Sequence, residues 1–185
     1  MAEMRLIYGF WKTALIYGGS AGTLVILMML SVFYTFGINT STGGIIFAFG
    51  SILFILSLLF FGMRRFRNVD QAGDIKISKA ILLGLVMSFL AGAAYVAVTE
   101  IYTAFAGDYF IDSYMAALIE QQITNGVSGE ALAEFTAKME ALKANHAKAS
   151  YRIPATFMEL FPMAFIVSLV SALVLHRPKF WARQG

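Results

Sequence analysis

The chain has 185 residues, which suits a single domain. Its residues are 59% hydrophobic and only 14% charged, against about 25% charged in an ordinary soluble domain, so a surface facing water on all sides is excluded. It contains no cysteine, which removes disulfides, thiolate metal sites, iron–sulfur ligation and cysteine nucleophiles.

Crossing the hydrocarbon core as a helix takes about 20 apolar residues, and four segments qualify. The first spans 13–36 (through ALIYGGSAGTLVILMMLSVFYTF) and is too long for the apolar region of a signal peptide. The second spans 44–62, after GINTSTGG, a short Gly/Ser/Thr turn that makes the first two helices antiparallel neighbours. In that turn Asn39-Thr40-Ser41 forms a glycosylation triplet, relevant only in a eukaryotic secretory setting. A connection with a turn around Asp70 to Gly73 follows, and Ser78 is the expected N-cap of a third span over 80–105.

An insertion over 107–150 reads as an amphipathic helical hairpin on the far side of the membrane. Ile111, Tyr114, Met115, Leu118 and Ile119 share one helical face, and Asn125-Gly126 breaks the helix. Ser128 is placed to cap a second helix whose Leu132, Phe135, Met139 and Leu142 repeat in a three-four pattern. Glu134 and Lys138 stand at i,i+4 on it. The hairpin's apolar faces are expected to cover each other and the bundle rim. The fourth span occupies 155–176. The fold class is therefore all-α: a polytopic membrane protein with four transmembrane helices and an extracytoplasmic hairpin.

Orientation follows from lysine and arginine. Arg5 and Lys12 precede the first span; Arg64, Arg65, Arg67, Lys76 and Lys79 lie between the second and third; Arg177, Lys179 and Arg183 follow the fourth. The first connection carries no charge. Both termini are thus expected in the cytoplasm, with the chain in a bacterial inner membrane. Tyr8, Trp11, Tyr102, Tyr109, Phe180 and Trp181 mark helix ends, where amphipathic rings favour the interface. The net charge of +3 is explained by this bias, so no nucleic-acid partner is expected. The RRFR run makes Arg64, Arg65 and Arg67 candidate contacts for anionic headgroups.

Two acidic residues fall inside spans: Glu100 near the outer end of the third, Glu159 near the outer start of the fourth. A carboxylate in the membrane is costly and normally faces protein or a water-filled cavity. Similar depth on sequential helices suggests one shared pocket in which the two face each other. Pro162 leaves the Met158 carbonyl without its helical donor and adds polarity there. Arg152, Tyr102, Thr99, Tyr151 and Asn145 are the neighbouring candidates. The alternative is that both glutamates bond to Arg152 or to hairpin amides at the interface.

Small residues form ribbons: Gly18 and Gly22; Gly84, Ser88 and Gly92; Ala164, Ser168 and Ala172. They let helices approach closely, within one bundle in preference to a homodimer face. His146 and His176 stand apart without ligand-like companions, so no metal is expected. Phosphate-binding loops, HExxH and GxSxG are absent, and no catalytic group or cofactor is indicated.

Several segments in order carry a family resemblance: FFGMRRFR at 60–67, Ile77-Ser78-Lys79-Ala80, Thr99-Glu100-Ile101-Tyr102, Glu159 to Pro162, and Val167 to Ala172 with His176-Arg177. Together they resemble a bacterial membrane family known as a domain of unknown function, number four-one-nine-nine, over nearly the whole chain. Thr99 stands where that family has an aromatic residue, and Met163-Ala164 where it has a Val-Gly pair. The resemblance implies four membrane helices and no known activity. The expected role is a structural, accessory or interaction protein with a membrane partner or a second copy. The alternative is a small carrier or sensor for a cationic or proton-linked ligand.

Overall fold

The computed structural model describes residues 2–37 and 42–176. The Asn39-Thr40-Ser41 triplet and the basic, aromatic tail (Arg177, Lys179, Phe180, Trp181 and Arg183) lie outside the described residues. Among those described, every regular element is helical. Helix α1, Ala2–Thr13, runs through a π-helical turn, Ala14–Gly18, into α2, Gly19–Phe36. Then come α3 (Thr42–Asp70), α4 (Ile77–Ala106), α5 (Tyr109–Thr124), α6 (Gly129–His146) and α7 (Ala149–Leu175).

Four stretches are long and apolar enough to cross a membrane: Glu3–Phe36, Gly43–Asp70, Ile77–Ala106 and Ala149–Leu175. All are longer than the spans expected from hydropathy. At about 1.5 Å per residue, the 34 residues of the first exceed the roughly 30 Å hydrocarbon core by several turns. The extra turns belong to α1, whose exposed Met4, Ile7, Tyr8 and Trp11 suit the interfacial layer. Helix α3 continues eight residues past its expected end because RRFRNVD is a good helical sequence outside the hydrocarbon. Helix α4 starts at Ile77, with Lys76 rather than Ser78 in the capping position.

The core is built by close backbone approach. A Cβ on Gly22 would collide with the Ala91 carbonyl, and one on Gly18 would meet Met87. Gly84 faces Ser168, and Gly92 lies under the Phe157 ring. Ala164, Ser168 and Ala172 are all buried. Each small-residue ribbon is therefore used inside this bundle, where contact area replaces the hydrophobic effect that lipid cannot supply. The Ser88 hydroxyl reaches Ser168 Oγ at 2.9 Å and donates to the Gly84 carbonyl at 2.8 Å, so no hydroxyl is stranded at the α4–α7 seam.

The insertion folds as the predicted hairpin. Helix α5 ends at Thr124, and Gly126 takes φ 84° in the hinge, a left-handed value that costs glycine least. Ser128 is the N-cap residue of α6, but its side chain makes no capping hydrogen bond. Lys138 pairs with Glu134 at 2.8 Å and Lys143 with Asp112 at 2.5 Å, the second joining α6 to α5. Asp112 holds the Lys143 ammonium above its ordinary pKa, and Lys138 holds Glu134 below the usual carboxylate value. Only Met115 of the hairpin is fully buried. Phe110 of α5 anchors it, packing edge-on against Phe33 of α2 with centroids 4.9 Å apart.

Candidate functional site

Polar chemistry within the spans gathers at the outer ends of α4 and α7. Arg152 stands four residues inside the start of α7 and faces the last turns of α4. Its Nε donates to Glu100 Oε1 and its Nη2 to Oε2, each at 2.6 Å. This is the bidentate fork for which a planar guanidinium is suited. The remaining terminal nitrogen, Nη1, donates to the His146 carbonyl at 3.1 Å and the Ala147 carbonyl at 3.4 Å. Those carbonyls close α6, so the cation also meets the negative end of a helix dipole. One side chain thus ties the outer hairpin to two membrane helices. The pair is shielded enough to hold that tie, the Arg152 and Glu100 side chains being 12% and 28% exposed. Burial pushes the His146 imidazole below its ordinary pKa, and the nearby Arg152 charge adds to the shift.

Glu159 does not join this cluster. Its Oε2 accepts from the Tyr95 hydroxyl at 3.4 Å, and that hydroxyl also lies 3.5 Å from Met29 Sδ on α2. No lysine, arginine or histidine pairs with Glu159 among the described residues. The expectation that Glu100 and Glu159 face each other in one pocket is corrected here. The reason lies in helix register. Because α7 begins at Ala149 instead of 155, Glu159 sits ten residues in, about 15 Å along the axis; Glu100 lies six residues from the end of α4, about 9 Å. Arg152, one heptad earlier on α7, takes the position opposite Glu100. Pro162 lies one turn deeper than Glu159 within an uninterrupted α7.

The other candidates are dispersed. Tyr102 shares a hydroxyl contact of 2.9 Å with Tyr34, linking α4 to α2 at the outer rim. Thr99 bonds back to the Tyr95 carbonyl of its own helix at 2.8 Å. Tyr151 is exposed. At the inner end, Arg67 departs from the expected headgroup contact. It is 1% exposed and donates to the Leu175 carbonyl at 3.2 Å and to Asn68 at 3.0 Å. It closes the last turn of α7 from inside, as a cation suits a helix C-terminus. Arg65 reaches Thr13 Oγ1 at 3.4 Å and lies 3.8 Å from Asp70, and Arg64 is half-buried.

Two groups were not singled out from sequence. Tyr95 is the hydroxyl that meets Glu159; a lone tyrosine amid the small residues of AGAAYVAVTE was the available signal. The second is an apolar groove of about 460 Å³ between the outer halves of α2 and α3, roofed by Phe110 and Tyr114 of α5. It arises because α3 leans away at its outer end, leaving Ile46, Phe47 and Phe54 exposed. Such a departure has no sequence signature.

These features define a multi-pass α-helical membrane protein whose outer hairpin is locked to the bundle by an arginine fork. The family model of the protein of unknown function DUF4199 matches residues 16–177. The chain belongs to that family. No curated protein and no solved structure matches it.

Proposed function

We infer that this is a structural or accessory protein of a bacterial inner membrane, with both termini in the cytoplasm and the α5–α6 hairpin presented outside to a membrane partner. The carrying observation is the fork itself: the charged pair within the spans fastens the hairpin and is not left open to a ligand. A platform held at both helix ends keeps its shape without a large core of its own, and α6 has no fully buried residue to hide its surface. The orientation rests on the basic residues around α3 and α4, from Arg64 to Lys79. Arg64 and Arg65, at the inner end of α3, are the remaining candidates for anionic headgroups.

Two experiments test this reading. The cysteine-free chain accepts single cysteines cleanly. Labels at Asn125 should react from outside and at Asp74 from inside; the reverse pattern overturns the orientation. A photo-crosslinking residue at Ala137 on α6 should give a discrete adduct in intact cells, and the R152Q substitution should abolish it. Absence of any adduct along the exposed face of α6 overturns the platform role.

A further inference from the structure

Glu159 plays no part in fastening the hairpin. It lies deep in α7, is exposed on the chain's own surface, and has a single tyrosine hydroxyl for company. A carboxylate at that depth is costly without a counter-charge. Beside it, one side chain away, is the apolar groove. Met29 forms part of the groove wall and stands with its sulfur against the Tyr95 hydroxyl that meets Glu159. Methionine is unbranched and readily changes rotamer, so a turn of Met29 joins the groove to the carboxylate.

We propose that this groove is a binding site for a hydrophobic cation, an ammonium or phosphonium ion carrying an apolar body, with Glu159 as its counter-ion. The walls select the class. Phe33, Phe36, Phe47 and Phe110 line the groove, and aromatic faces attract cations while also burying apolar groups. A small hydrated metal ion would lose its water to walls that return almost no polar contact. A lipid tail would fill the groove but leave Glu159 without a counter-charge. The charged end belongs beside Met29, where Tyr95 fixes the carboxylate, and the apolar body belongs under the α5 roof. Glu100 does not serve as an alternative anion, because Arg152 already takes both of its oxygens.

The test uses the full chain in phosphatidylcholine nanodiscs, with tetraphenylphosphonium as probe and equilibrium dialysis as readout. Saturable binding at one site is expected, weakened about tenfold or more by E159Q, a change of at least about 1.4 kcal/mol. A48F, which fills the groove and keeps the carboxylate, should weaken it comparably. Neutral tetraphenylmethane should bind both wild type and E159Q alike. Equal affinity of the cation for wild type and E159Q overturns the proposal, as does uptake no greater than that of empty nanodiscs. Should E159Q fail to fold, A48F decides: unchanged binding there refutes the groove. The accessory role stands or falls separately, since neither variant touches the fork.

Discussion

Replacing Arg152 with glutamine removes the one side chain shared by α4, α6 and α7. The substitution deletes two charge-assisted bonds to Glu100 and one good bond to the His146 carbonyl. Hydrogen bonds to charged groups contribute about 1.5–3 kcal/mol each, and breaking a fully buried ion pair costs about 3–5 kcal/mol. Here Glu100 keeps some solvent access, at 28% exposure, so the loss should fall near the lower end, about 3 kcal/mol. For a chain of this size each kcal/mol moves Tm by about 2–4 °C, predicting a fall of about 6–12 °C in detergent. The loss should also be local. Amide exchange across α5 and α6 should accelerate while the buried middle of α4 stays protected. The E100Q/R152Q double variant completes a cycle, with a coupling energy of about 1 kcal/mol or more between directly bonded groups. Additive single effects, or unchanged exchange in the hairpin, would refute the role assigned to the fork.

Three other outcomes follow from the geometry. G22A should destabilise the α2–α4 contact by about 1–3 kcal/mol through overpacking, because its methyl meets the Ala91 carbonyl; thermal denaturation checks this, and an unchanged midpoint speaks against that approach. R67M should speed exchange in the last turn of α7 without altering retention of anionic lipid in native mass spectra, whereas R64Q and R65Q together should reduce that retention. The depressed pKa of His146 predicts a pH effect on the hairpin. Below its unfolded value of about 6.5 the unfolded state binds the proton more readily, so stability falls as pH drops from neutral through that value and levels off below the folded pKa. Amide exchange at the end of α6 should therefore rise between pH 7.5 and 5.5, and H146Q should abolish the difference.

The sequence by itself determined the four spans, the hairpin and its hinge, because each is written in local periodicity and in residues with special backbone needs, such as Asn125-Gly126. It also marked the ribbons at Gly18, Gly84 and Ala164 as close-packing surfaces, since small side chains have few other uses at helical spacing. It did not mark the ends of helices that outrun the hydrocarbon: hydropathy reports the lipid, while α7 continues through the polar Tyr151 and Arg152 to Ala149. That six-residue shift decided the polar chemistry. It brought Arg152 level with Glu100 and carried Glu159 deeper, to Tyr95. Likewise Arg67 reads as one more cation in a basic run, yet it turns inward because its helical face, not its charge, is set by how α3 packs on α7. Partners across a bundle depend on register and rotation between helices, quantities that only tertiary packing fixes.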